Sequence, residues 1–443
     1  MNWVINTMSL PPSFHNSSDY FEACLKFFAE YEYLYNFPNT DILVNNVFDH
    51  IDITGLENVN TNDFDINMTP RNDYLNDFFT KLCKLQVDLN DFDEDELKFV
   101  SDAPLSLKKK HEILYLSKEV ALLCEDTECD TVVDFGCGLG YLDQQIFDTT
   151  TVNVLGLECN DRHYVGAKKR QREYHKESVD RVKFIKHTVT VESNDAIQKF
   201  LLDKFPNHKG FCITGLHACA DLTVDAMSLF LKMEHARAMI IMPCCYHKIK
   251  GDNGRFNNFP LSECLKCIYE RYSGFQYLRV PFLRLATQPT NIANESLEDL
   301  VFNLLARATL QVFAVKNKFT LKRKKRKAVR LKTIDNNFEC YVRNAFNGYS
   351  FVSDSVMENM QVEGATVPNI EELSVIWREN TKSTFKKAAI FILLQNAMQP
   401  VFENFFLYDR LLYLHENNIR DCEFKKIVSH RISPRCLALI VRK

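Results

Sequence analysis

Val133-Asp134-Phe135-Gly136-Cys137-Gly138-Leu139-Gly140 decides how the rest of this 443-residue chain is read. Residues 131–135 are β-branched and apolar around one acid, and helical spacing resumes after Gly140, so the stretch is the turn of a strand-turn-helix unit. Glycine at every second position lets such a turn bring the main chain close to a ligand, with a helix N-terminus behind it. The chain holds thirteen glycines, and seven of them (Gly136, Gly138, Gly140, Gly156, Gly166, Gly210, Gly215) fall within one window of 80 residues. Spacing excludes two common ligand turns: neither the dinucleotide pattern G-x-G-x-x-G nor a phosphate loop ending in G-K-S/T is present.

Outward from this unit, short β-rich runs at 152–158, 181–187, 210–217 and 238–242 alternate with amphipathic stretches. That alternation predicts a parallel sheet with helices on both faces. Ahead of it a helix is predicted over 104–123, opening at Pro104 and burying Ile113, Leu114, Leu116, Val120 and Leu123. After the fifth run no long apolar helix resumes until 385, so 248–384 reads as a mostly helical insertion, with a capped helix opening at Ser296 and Asp299. A helix over 386–416 and strand-like runs at 424–428 and 436–441, joined at Ser433-Pro434, predict a C-terminal hairpin that completes the sheet. Upstream, 1–103 reads as a helical domain, with helical spacing over 19–37 and 74–87 around an Asn- and Asp-rich loop. The expected domains are therefore 1–103, 104–247, 248–384 and 385–443.

Composition bounds the function. With 46% hydrophobic residues, 25% charged residues and a net charge of −4, the chain is an ordinary globular one. No apolar run approaches the roughly 20 residues a spanning helix needs, and the N-terminus has no basic segment followed by an apolar core. Fifteen cysteines then read as reduced thiols of the cytosol or nucleus. Residues 40–102 hold fifteen carboxylates and four basic residues, and 316–332 hold ten basic residues and no acid.

An acid just ahead of G-x-G-x-G, here Asp134 two positions before Gly136, resembles the turn of S-adenosylmethionine-dependent methyltransferases of the doubly wound class. There the turn of Gly136, Gly138 and Gly140 would wrap the amino-acid part of the cofactor, with Asp134 close to its ammonium group. The second run ends in Glu158, eighteen residues after Gly140, where a carboxylate can accept from both ribose hydroxyls. In such sheets ligands lie beyond the carboxyl ends of the strands. The fourth tip carries His217, Cys219 and Asp221, and the fifth carries Cys244, Cys245, Tyr246 and His247. His217 with Asp221 four residues on is a candidate base pair, against a simple strand-closing role. For the cysteines three readings compete: Cys244 as a covalent nucleophile, a metal site drawn from Cys244, Cys245, His247, Cys264 and Cys267, and plain packing. No metal is assigned among them.

Taken together, Lys108-Lys109-Lys110-His111-Glu112, the turn at 134–140, the GLHACADL segment at 215–222 and the PCCYHK segment at 243–248 resemble the methyltransferase-like protein 25 family. That family includes proteins named for a ribosomal RNA adenine dimethylase domain. Segments at 283–288, 400–403, Asp409-Arg410 and 433–435 fit as well. Relatives often carry glycine where this chain has Ala220. The resemblance implies a doubly wound, Rossmann-like class I methyltransferase sheet of α/β class, to which the chain's own periodicity adds an N-terminal helical domain and a helical insertion between strands five and six. It implies S-adenosylmethionine as cofactor, and the strand tips put His217, Asp221, Cys244, Tyr246 and His247 on the reaction side; the acceptor is RNA or, alternatively, a protein or small molecule, with a non-catalytic scaffold of the same fold as the remaining reading. A more distant similarity, to tRNA 2′-O-methyltransferases acting on the acceptor stem, aligns His217, Cys219 and the residues from Cys244 to His247 and points to RNA as substrate. RNA phosphates would meet the run Lys322, Arg323, Lys324, Lys325, Arg326, Lys327 and the surface of Lys108, Lys109, Lys110 and His111, against the readings of a nuclear import signal or a solvated loop.

Overall fold

Every residue of the first strand, Thr131–Phe135, is buried, as a central parallel strand covered on both faces requires. The computed structural model describes residues 10–60, 71–87, 89, 92, 94, 104–252, 255–272, 278–288, 296–325, 329, 336–353 and 369–443. Five parallel strands follow one another in the chain: β1 (Thr131–Phe135), β2 (Asn153–Glu158), β3 (Val182–Lys186), β4 (Phe211–Cys219) and β5 (Ala236–Cys244). The sheet closes with Asp421–Lys426 and Leu437–Arg442, which pair antiparallel with each other, and the second of them pairs antiparallel with β5. Across the sheet the order is Asp421–Lys426, Leu437–Arg442, β5, β4, β1, β2, β3. This is the doubly wound α/β sheet with a late antiparallel hairpin that the sequence predicts, interrupted between its fifth and sixth strands. The chain reverses direction across the sheet between β1 and β4, the switch point where doubly wound folds open a crevice.

Two differences from the predicted elements matter for the site. The fourth and fifth strands each run two residues past their expected ends, so Cys219 and Cys244 belong to strands and are register partners. The helix before β1 is Leu107–Asp126, not one opening at Pro104, because the Ser106 hydroxyl accepts the Lys109 N–H at 3.3 Å and caps it.

The chain divides into two compact units whose limits are not those expected at 103, 247 and 384. The first comprises 1–25, 84–291 and 401–443, and the second 26–83 and 292–400. Residues early and late in the chain share a core in each case, a pairing no local pattern reveals. In the first unit Phe21 packs edge-on against Phe405 at 5.1 Å. There too the buried Asp409 carboxylate accepts from Leu261 N, Ser262 N and Ser262 Oγ and pairs with Arg410 at 2.7 Å. A buried ion pair with its remaining lone pairs filled in this way fixes where the chain docks.

In the second unit the helices Leu297–Lys316, Phe338–Gly348 and Ile370–Arg378 share a core in which Trp377 stacks on Phe338 at 4.5 Å. The Lys386 ammonium donates to the Leu56 carbonyl at 2.8 Å within the same unit. The insertion is mostly helical, as expected, and adds one antiparallel pair, Phe319–Arg323 with Tyr349–Ser353. The basic run therefore starts on a strand. Among the described residues no helix is long and apolar enough to cross a membrane.

Candidate active site

The glycine turn follows β1 and has the backbone its composition demands: Gly136, Gly138 and Gly140 sit at φ +83°, +60° and +74°. Gly140 is the N-cap of the helix Tyr141–Thr149, and a Cβ there would stand 2.6 Å from the Phe184 ring. A Cβ on Gly138 would meet nothing within 4 Å. Gly138 borders a cleft whose walls include Lys109, Asp134, Tyr141, Leu142 and Leu216.

Asp134 is 1% exposed, and its Oδ1 has no hydrogen-bond partner among the described residues. Burial pushes its carboxyl up to about 7, with the Lys109 ammonium pulling the other way and Glu158 adding to the rise. The cleft thus presents one anion-forming group and one cation, the complement of a zwitterionic amino acid. Behind it Asp143 is wholly buried, with neither oxygen bonded among the described residues, and burial followed by the charge of Asp134 raises its pKa. Gly156 makes room for it, since a Cβ there would lie 2.8 Å from Asp143 Oδ1. Glu158 closes the turn from β2: Oε2 accepts Gly138 N at 2.8 Å and Oε1 accepts Asn160 N at 2.7 Å. Oε2 retains a second lone pair for a ligand hydroxyl, whereas Oε1 also accepts from the Cys159 thiol at 3.6 Å.

His217 lies one residue beyond Leu216 of the cleft wall, at φ +65°. Its partner is not Asp221. His217 Nε2 lies 3.0 Å from Glu112 Oε2, and Glu112 is buried. Burial pushes the Glu112 carboxyl up, but the bond and charge of His217, the Ser433 hydroxyl at 2.7 Å and Lys108 together bring it below its ordinary value. A carboxylate can only accept, so in this bond Nε2 donates, and in the neutral ring that tautomer leaves the lone pair on Nδ1. Asp221 instead accepts from Lys250 N at 3.0 Å and Asn258 Nδ2 at 2.7 Å. The spacing of four residues brings side chains together on a helix, whereas 217–219 belong to an irregular strand and the next helix opens only at Leu222.

At the same tips Cys219 Sγ lies 3.0 Å from Cys244 Sγ. Cys219 is exposed and Cys244 buried. The Cys244 thiol lowers the Cys219 pKa to about 6 against the opposing effect of burial, with help from Cys245 and His217. Cys244 is shifted upward, through its bond to Cys219 and then burial. Cys244, the candidate nucleophile, is thus the buried member of the pair and Cys219 the exposed one. Tyr246 is corrected. Beyond the end of β5 it is buried, stacked on Phe406 at 4.3 Å, and donates to Glu403 Oε1 at 2.9 Å. Glu403 in turn pairs with Arg435. His247 Nδ1 lies 3.2 Å from Thr287 Oγ1, and burial, then Arg284 and Lys248, lower its pKa. Cys264 and Cys267 sit on the helix Glu263–Arg271, outside the cysteine group.

His111, expected on a basic surface, is buried and accepts Ser429 N at 3.0 Å through Nε2. Lys322, Arg323, Lys324 and Lys325 are exposed, and Arg326 and Lys327 lie outside the described residues. Sequence reasoning missed the roles of Glu112, Lys109 and Asp143. A carboxylate on the core face of the helix Leu107–Asp126 was the available signal for Glu112, since a buried charge demands a partner.

The strand order, the glycine turn and the acids at the tips of β1 and β2 define a methyltransferase-type α/β domain. A family profile described as a methyltransferase domain matches residues 108–252. More particularly, the chain is similar to a mouse protein named "Probable methyltransferase-like protein 25", 24% identical over 241 residues, which are 52% of this chain and 37% of that protein. The human protein of that name is 24% identical over 246 residues, 52% of this chain and 36% of its own length. The match thus spans little more than a third of these relatives. It bears out the resemblance read from the segments between 108 and 248. A solved S-adenosylhomocysteine-bound methyltransferase from Podospora anserina aligns over 39% of this chain and 71% of its own at 13% identity, with a TM-score of 0.24.

Proposed function

We propose that the chain binds S-adenosylmethionine in the cleft at the β1 tip and transfers its methyl group to RNA. One observation carries the cofactor reading: a buried Asp134, whose Oδ1 has no hydrogen-bond partner among the described residues, lines one cleft with Lys109, and Gly138 opens onto that cleft. The cofactor when bound supplies a methyl group on an electrophilic sulfonium. Asp134 would take its ammonium, Lys109 its carboxylate, and Glu158 its ribose hydroxyls. Leu142 and Leu216 give the cleft apolar walls that keep water from the reacting region.

On the reaction side, Glu112 holds the His217 ring with Nδ1 free, so Nδ1 can accept a proton from a hydroxyl or ring-nitrogen acceptor. Support for RNA as acceptor comes from the exposed basic stretch Lys322 to Lys325 and from the similarity of the β4 and β5 tips to RNA-modifying enzymes. Calorimetry with S-adenosylmethionine tests the cofactor, and absence of binding by the wild type refutes it. Mass spectrometry of nucleosides from cells carrying wild type or His217→Ala tests the acceptor. A methylated nucleoside should disappear in the variant, and a change confined to protein digests would refute RNA.

A further inference from the structure

We infer that Cys219, Cys244 and Cys245 form a three-thiolate binding site for a zinc-type metal ion at the tips of β4 and β5. The Sγ atoms of all three lie within 4.8 Å of one another. Tetrahedral zinc with Zn–S bonds of about 2.3 Å spaces its sulfurs about 3.8 Å apart. The Cys219–Cys244 separation of 3.0 Å would open by about 0.8 Å, and with all three sulfurs within 4.8 Å no other pair has to close by more than about 1 Å.

The backbone is arranged to gather these sulfurs. Consecutive residues of a strand point to opposite faces, so Cys244 and Cys245 could not both turn toward Cys219 in a regular strand. Cys245 instead leaves the strand at φ +52°, a left-handed conformation unfavourable for a residue with a Cβ. On the facing tip Ala220 adopts φ +53°, and its N–H donates to the Cys244 carbonyl at 3.0 Å, locking the two tips together. Left-handed backbone at Cys245 itself and at Ala220 beside Cys219 is the clustering expected where a ligand repays the cost.

Thiolate donors select zinc and other soft ions over magnesium or calcium. Among the described residues no histidine or carboxylate joins the three sulfurs within the same distance. The protein therefore supplies three ligands and leaves the fourth position open, with Cys219 exposed. His247, taken up by Thr287, and the Cys264 and Cys267 pair are not part of the set.

The test is independent of methyl transfer. Protein purified without metal-affinity steps is assayed for metal by mass spectrometry, then stripped, reduced and reloaded with Zn²⁺ or Co²⁺. About one zinc ion per chain is expected, with cobalt giving thiolate charge-transfer and tetrahedral d–d absorption. Cys219→Ser should lose the ion at least 10-fold, and Cys264→Ser should retain it. If Cys219→Ser fails to fold, the wild-type cobalt spectrum and the slowing of thiol labelling by Zn²⁺ decide. No zinc and no cobalt–thiolate band in the reduced wild type would overturn the site, as would zinc retained in folded Cys219→Ser or a Cys219–Cys244 disulfide in the native protein.

Discussion

Replacing Asp134 by Asn should make the protein more stable and a poorer binder at once. The carboxyl is wholly buried and raised to about 7 by burial, so ionising it in the folded chain is costly. Three units above an ordinary aspartate corresponds to a ceiling of about 4 kcal/mol, and sharing with Asp143 and Glu158 brings the expected gain to about 1–3 kcal/mol. The sign follows from the proton count. Between pH 4 and 7 the folded carboxyl holds a proton that the unfolded one has released, so the wild type loses stability as pH rises through this window and carries the full penalty above it. Asn carries no charge at any pH. The stability of Asp134→Asn in denaturation should therefore exceed wild type at pH 8 and converge with it below about pH 4. Calorimetry with S-adenosylmethionine at pH 8 should show a roughly 10–100-fold loss of affinity, the value of one charge-assisted bond to an ammonium. Wild-type affinity should itself weaken below about pH 7. A variant equally destabilised at both pH values, or one binding the cofactor as wild type does, would refute the reasoning.

The turn glycines should separate by assay. Gly138→Ala should cost about 1 kcal/mol for its φ of +60° yet abolish cofactor binding, because its Cβ meets only open space beside the cleft. Gly140→Ala should cost about 2–4 kcal/mol in urea denaturation, because its Cβ collides with Phe184. Glu112→Gln should slow methyl transfer at least 10-fold, with cofactor affinity in calorimetry unchanged, because it orients His217 without lining the cleft. Ala220→Gly should raise the urea midpoint by relieving about 1 kcal/mol of left-handed strain, an effect absent at pairs of alanine and glycine with ordinary φ.

How far the site was legible depended on whether its contacts are local. The bounds of β1 match the sequence reading, because a short β-branched run ending at a glycine turn leaves little freedom. Asp134, Gly136, Gly138, Gly140 and Glu158 surround one turn for the same reason, the acid of β2 following from strand spacing. On the reaction side, closeness in sequence does not translate into contact. His217 and Asp221 are four apart in sequence, yet an irregular strand and a left-handed Ala220 separate their side chains. The Ala220 backbone is what the glycine of relatives foreshadows, since the φ of +53° there favours a residue without a Cβ.

What remained hidden was fixed by sheet register. Cys219 meets Cys244 only because β4 and β5 are neighbours extended to matching lengths, and underestimating both strands by two residues left the cysteines looking like separate loop groups. Glu112 meets His217 across 105 positions. That second pairing nevertheless had a trace in composition. Glu112 adjoins Ile113 on the core side of its helix, where an unpaired carboxylate would cost several kcal/mol. Such a charge requires a donor near the same core, and the histidine closing the central strand beside it answers that requirement. The physical rule that a buried charge must be answered therefore locates the reaction side more sharply than spacing does.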